Sequence, residues 1–240
     1  MTVFKSNVGR QHFSLEAVKI FRMIKAVIYD LDDLMVNSYP LHVKASNHVF
    51  RKYGVDSSKL PRSIRSGFIG MRVSDILKYL VDYFKLDVNL ENLREKRSAI
   101  FLDLVNKNLK AMPGLLQSLK LFKKNKFKIA LASSGTKKYI NVVLGKFKIA
   151  DYFDVIVSGD DVKRGKPDPE IFSAAVNKLG LKPDETLVLE DATNGIEAAK
   201  AAGCKCIAVI NKMTPPQNYS KADLVINSLK EIDLALIREL

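Results

Sequence analysis

The residues Asp30-Leu31-Asp32-Asp33 close a short apolar run, AVIYDLD. Two carboxylates two positions apart on an extended chain point the same way. In a dry cleft such a pair repels, so one acid holds a proton or a cation sits between them. That split suits a nucleophile, Asp30, beside a general acid/base, Asp32. A second acidic pair, Glu190-Asp191, closes the run TLVLED and offers hard oxygen ligands of the kind magnesium takes. At the end of KIALASS, the Ser133 hydroxyl and the backbone N–H groups of Ser134 and Gly135 present donors for a phosphate. Lys166, in Arg164-Gly165-Lys166-Pro167, supplies the cation of the set. Ionised Asp30, Glu190 and Asp191 carry three negative charges and a bound phosphate dianion adds two. Lys166 with one divalent ion returns three, so without the metal a dianion meets a repulsive site.

These residues need a scaffold that brings them together. Six short β-rich runs, AVIYDLD, KIALASS, DVIVSGD, TLVLED, CIAVI and LVIN, alternate with helical stretches. Continuous apolar runs of this length suit parallel strands buried on both faces. Gly180 and Gly203 stop two helices, and Asp168-Pro169 starts one with Asp168 as the N-cap. The alternation predicts an α/β fold, a doubly wound parallel sheet. Ligands of such sheets bind at the carboxyl ends of the strands, where all four polar segments fall. Residues 39–108 interrupt the alternation with helices only, including the stripe Ile76, Leu77, Leu80, Val81 and Phe84, read as a helical-bundle core. The expected division is an extension over 1–22, a catalytic core over 23–38 and 109–240, and a helical cap over 39–108 that acts as a lid.

Singly, each polar segment is as well explained by a solvated loop or turn. Four of them at strand ends in this order are hard to explain by accident. The set resembles the haloacid dehalogenase superfamily of phosphatases and phosphomutases from Met23 onward. YDLDDLMVNS resembles its first motif, with Asp30 at the nucleophile and Asp32 at the acid/base position. LASSG resembles the second, RGKPDPEIF the third with Lys166, and LVLEDATNGIEAAKAAG the fourth, with Asp191 a magnesium ligand and Glu190 its acidic neighbour. The helical insert is similar to the cap of the subgroup containing β-phosphoglucomutase and sugar-phosphate phosphatases. The resemblance implies magnesium held by Asp30, the backbone carbonyl of Asp32 and Asp191, with Glu190 direct or through water. It implies a phosphatase acting on a small phosphorylated metabolite, a sugar phosphate, through an aspartyl-phosphate. The alternatives are a phosphomutase and a non-catalytic binding protein. Ala192 departs from the usual Ser after Asp191, and Asn37 from a frequent Asp. An acid at Asp32 argues against dehalogenation and phosphonate cleavage. His42 stands where mutase relatives carry a hinge histidine, and a packed helix histidine explains it equally well. Arg72 is the best cap residue to face the cleft; Lys96 and Arg97 are weaker candidates.

Composition limits the remaining classes. With 240 residues, 47% of them hydrophobic, the chain can bury a sizeable core. No apolar run approaches the length of a membrane span, so no membrane partner is expected. The net charge of +13 is spread over scattered lysines rather than a basic arm, so no nucleic acid partner is expected. Cys204 and Cys206 read as reduced buried thiols on opposite faces of a strand, in a cytoplasmic monomer. Residues 1–22 read as an appendage, with a short helix capped by Ser14 and weak support for organelle targeting; Met23 is an alternative start.

Overall fold

A computed structural model describes residues 24–240, and the expectations for residues 1–22 lie outside the described residues. The apolar runs become β1 (Ala26–Tyr29), β2 (Lys128–Ser133), β3 (Val155–Ser158), β4 (Thr186–Glu190), β5 (Lys205–Val209) and β6 (Leu224–Ile226). They form one sheet in the order β3-β2-β1-β4-β5-β6, and every pairing is parallel. The fold is thus the α/β doubly wound sheet that the sequence pattern predicts. All four residues of β1 are buried because helices cover both faces. Their alternation decides which layer each meets. Val27 and Tyr29 join the cluster containing Leu119, Phe122 and Ile140; Ala26 and Ile28 join the one containing Phe172, Ala175 and Ile196.

The chain winds outward from β1 in both directions, which leaves a crevice at its carboxyl end. Tyr29 is level with Leu131 of β2 and Leu189 of β4. One residue further, the Asp30 N–H donates to the Leu189 carbonyl at 3.1 Å, so the ends of the three strands meet in one place.

Between β1 and β2 run α1 (Tyr39–Phe50), α2 (Arg62–Gly67), α3 (Val73–Tyr83), α4 (Leu90–Asn108) and α5 (Leu115–Lys124). The later crossovers carry α6 (Lys137–Phe147), α7 (Glu170–Leu179) and α8 (Thr193–Ala201), and α9 (Leu234–Arg238) lies near the C-terminus. The first four helices have their own buried cluster, in which Leu77 and Leu80 meet Val49, Phe50, Leu60 and Leu93. Burying each of those leucines contributes about 1.5–3 kcal/mol. Ile76, Val81 and Phe84 pack against it, as the stripe predicts.

This helical layer joins the sheet through a short antiparallel crossing. The Asn37 N–H donates to the Lys110 carbonyl at 2.9 Å, and the Met112 N–H to the Met35 carbonyl at 2.8 Å. Across the crevice, three core side chains reach its main chain. Ser134 Oγ donates to the Gly70 carbonyl at 2.8 Å, Asn194 Nδ2 to those of Gly67 and Ile69 at 2.8 Å each, and Gln217 Nε2 to Ser66 at 3.3 Å.

Two local expectations shift. Helix α7 begins at Glu170 with Pro169 as its cap position, one residue later than expected, while the Asp168 carboxylate accepts the Glu170 N–H at 3.0 Å. Cys204 and Cys206 are free and buried, but they share one cluster rather than opposite faces. Positions two apart on a strand fall on the same side, so the opposite-face reading was incorrect.

Candidate active site

Lys166 is the electrostatic hub. Its Nζ lies 2.5 Å from Asp30 Oδ1 and 2.6 Å from Glu190 Oε1, and its side chain is 0% exposed. The ammonium also sits over the Phe172 ring, 4.7 Å from its centre. The loop that delivers it is anchored by Glu170, whose carboxylate accepts the N–H groups of Lys163 and Arg164 at 2.9 and 3.0 Å. Burial opposes the charge on Lys166, but Asp30 and Glu190 outweigh it and hold the lysine protonated, above its ordinary range.

Glu190 is the last residue of β4 and is fully buried. Its Oε2 accepts the N–H groups of Asp191 and Ala192 at 2.8 and 2.9 Å, while Oε1 meets Lys166. The room for this carboxylate comes from Gly195, where a Cβ would fall 1.6 Å from Glu190 Oε1.

Oxygens of Asp30, Glu190 and Asp191 lie within 4.8 Å of one another. Burial, opposed by Lys166 and reinforced by Glu190, pushes Asp30 well above the usual carboxylate range. Burial and Glu190 do the same to Asp191. Asp191 Oδ2 is buried with no hydrogen-bond partner among the described residues. Crowded hard oxygens with a surplus of negative charge fit a divalent cation such as magnesium. Both Glu190 oxygens already have protein partners, so Asp30 and Asp191 offer the more available donors.

Asp32 faces a different set of groups. The Tyr139 hydroxyl donates to its Oδ1 at 2.6 Å, and His42 Nε2 approaches the same oxygen at 3.5 Å. Arg97 lies 2.7 Å from His42 Nδ1. A guanidinium only donates, so Nδ1 accepts and the ring proton belongs on Nε2, toward Asp32. The imidazole stacks on Phe101 at 4.0 Å. Burial opposes ionisation of Asp32, yet the contacts from His42 and Tyr139 outweigh it and hold its carboxyl below the usual range. The neighbouring Asp33 is structural. At φ 64° it turns the chain, and its Oδ1 accepts the Ser38 and Tyr39 N–H groups at the start of α1. Burial and the charge of Asp32 raise its pKa to about 7.

Ser133 is buried, and its Oγ accepts the Gly135 N–H at 3.0 Å. That bond engages one of the two backbone donors expected to face a phosphate. Ser134, Gly135, Asp30 and Asp32 all line a cavity of about 360 Å³ between the sheet edge and the helical layer. Arg72 lines it too, but its guanidinium binds Asp75 and the Lys163 carbonyl, at 2.9 and 3.0 Å, so it ties the helical layer to the Lys166 loop. A Cβ at Gly165 would lie 2.9 Å from Arg72 Nε. Lys96 is exposed, whereas Arg97 is buried behind His42. Sequence reasoning did not single out Tyr139. Its signal was available: it sits three residues after the N-cap Thr136, on the helix that leaves β2 beside the site.

The family model for haloacid dehalogenase-like hydrolases matches residues 27–209. A phosphorylated carbohydrates phosphatase of Thermotoga maritima is 30% identical over 87% of this chain and 100% of its own. Hexitol phosphatase B of Escherichia coli K12 is 29% identical over 88% and 95%. Among solved structures, β-phosphoglucomutase from Clostridium difficile superposes with a TM-score of 0.79 at 28% identity, over 90% of this chain and 96% of its own.

Proposed function

The chain belongs to the haloacid dehalogenase-like hydrolases, and we propose that it is a magnesium-dependent phosphatase of a small phosphorylated metabolite that works through an aspartyl-phosphate on Asp30. One observation carries this reading: buried Asp30, paired with Lys166 at 2.5 Å and crowded by Glu190 and Asp191, opens on the cavity that also holds Asp32. The named activities of the relatives support a phosphomonoester as substrate. Residues 39–108 act as a cap over a core of 23–38 and 109–240.

Magnesium, when bound by Asp30 and Asp191 with the Asp32 carbonyl and Glu190 beside them, supplies positive charge against the phosphoryl oxygens. An Asp30 carboxylate oxygen attacks phosphorus, and the bond from phosphorus to the leaving oxygen breaks. Asp32, a carboxylate at rest beside Tyr139 and His42, takes up a proton as the negatively charged phosphoryl group arrives and gives it to that oxygen, releasing the alcohol. Asp32, now a carboxylate, takes a proton from water as the water oxygen attacks phosphorus. The phosphorus–Asp30 bond breaks, and inorganic phosphate leaves. Lys166 holds Asp30 in place and balances charge at the transferring group. Tyr139 and His42 fix the Asp32 carboxylate.

The test is a panel of phosphate esters with added magnesium, together with Asp30→Asn and mass detection of a phosphoryl group on the wild-type chain. Turnover that survives in the folded Asp30→Asn variant would overturn the reading. The likeness to β-phosphoglucomutase supports a phosphomutase as the second reading. In that case a hexose 1-phosphate becomes the 6-phosphate faster than free phosphate appears.

A further inference from the structure

The cavity over Asp30 and Asp32 has an unequal lining. Its floor is polar, formed by the two acids with Ser134, Gly135 and Tyr139. The wall contributed by the helical layer is largely apolar, with the half-buried Phe68, Met71 and Ile76 facing the space and the buried Leu60, Leu77 and Leu80 packed behind them. The polar side chains in that wall mostly have partners within the protein. Arg72 binds Asp75 and the Lys163 carbonyl; Arg97 binds His42 and Ser46. Arg94 pairs with Glu91, and the Ser57 hydroxyl donates to Asn47. Among the described residues, the Tyr39 hydroxyl, Ser98 and the outer end of Arg65 remain for contact with a ligand.

A polyhydroxy chain seated here would bury several hydroxyls against hydrocarbon, and each one without a partner lowers affinity. An apolar ring gains from the same wall. Met71 adapts to the ring's outline, and Phe68 offers an aromatic face. The volume of about 360 Å³ accommodates a small molecule rather than a macromolecule.

We propose that the alcohol released by this chain carries an apolar, ring-sized body, seated against Phe68, Met71 and Ile76, with its phosphoryl end over Asp30. The proposal rests on the phosphatase reading above and narrows its substrate class away from open-chain sugar phosphates. The reaction is unchanged: ester and water give the alcohol and inorganic phosphate.

The experiment compares kcat/KM for 2-phenylethyl phosphate and glucitol 6-phosphate, two primary alkyl esters that differ in the body of the leaving alcohol. Acetyl phosphate, too small to reach the wall, serves as the control for the chemistry. The expected result is at least about a tenfold preference for the phenylethyl ester. Met71→Gln, similar in length, should lower kcat/KM for that ester about tenfold through KM and leave acetyl phosphate turnover within about twofold. Preference for glucitol 6-phosphate, or a Met71→Gln variant that treats the phenylethyl ester as wild type does, overturns the proposal while the phosphatase reading stands. Failure to hydrolyse all three compounds, acetyl phosphate included, overturns both.

Discussion

Replacing Lys166 with methionine keeps the length of the side chain and removes its charge. In the native structure the ammonium is 0% exposed and bridges Asp30 and Glu190 at 2.5 and 2.6 Å. No other cationic side chain among the described residues forms an ion pair with either acid, so the variant leaves two buried carboxylates with no cationic side chain between them, Glu190 keeping only its two backbone N–H donors. Breaking a buried pair from one side costs about 3–5 kcal/mol. For a chain of this size each kcal/mol is about 2–4 °C in Tm, so the melting point in EDTA should fall by about 6–20 °C. Magnesium should recover part of the loss, because a ligand at about one hundred times its Kd stabilises by about 2.7 kcal/mol. Thermal melts of wild type and Lys166→Met, with EDTA and with saturating magnesium, read both effects. A metal-free variant that melts within about 2 °C of wild type would refute the hub role of Lys166. A magnesium effect absent from both proteins would refute the cation site.

Four further outcomes follow from the same geometry. Asp30→Asn should lower kcat by several orders of magnitude with the fold intact by circular dichroism; retention of more than about a tenth of the rate removes the covalent mechanism. Chelation should abolish turnover, and magnesium should restore it better than calcium, whose looser shell misplaces the attacking oxygen; full activity after metal stripping counts against Asp30 and Asp191. Gly195→Ala should destabilise by about 3 kcal/mol or more by expelling Glu190 from Lys166 and two backbone N–H groups, although alanine favours a helix over glycine by about 1 kcal/mol; a gain in Tm would contradict the packing. Burial, aided by the charge of Arg97, lowers the His42 pKa, so the unfolded chain binds this proton first as pH falls. Stability from His42 is therefore present above pH about 6.5 and lost as pH drops toward the depressed value. Urea midpoints at two pH values on either side of that point should show a smaller drop for His42→Asn than for wild type; equal drops would exclude His42 as the cause.

How much of this was legible depends on the range of the interaction. The strands were readable because a parallel strand covered on both faces must be apolar throughout, and KIALAS and TLVLE are. Asp30, Lys166, Glu190 and Asp191 were readable because strand ends of one sheet share an edge, so order along the chain fixes position. Arg72 shows the limit. Its type and place in the cap suggested a cleft-facing charge, and it does line the cavity. Its main partners beyond α3, the carbonyls of Val162 and Lys163, come from a loop ninety residues away, and no local pattern encodes that contact. Tyr139 and Arg97 are similar cases. Each lies on a helix whose rotation decides whether it meets Asp32, His42 or solvent, and the apolar stripes of α4 and α6 do not fix that angle to within one side chain.

The contacts that close the crevice have an asymmetry with evolutionary weight. Ser134, Asn194 and Gln217 all belong to the core, and every acceptor they reach on the segment 66–70 is a main-chain carbonyl. A carbonyl survives nearly any substitution at its own residue. Gly70, at φ 81°, is held to glycine, but the other side chains of the segment can therefore drift, and with them the chemistry of the wall they form, while the clasp stays the same. Mutational tolerance and a constant closure are separated residue by residue: the variable surface is written in side chains, and the fastening is written in the backbone beneath it. A lineage built this way can exchange one metabolite for another without rebuilding the contacts that hold the helical layer against the core.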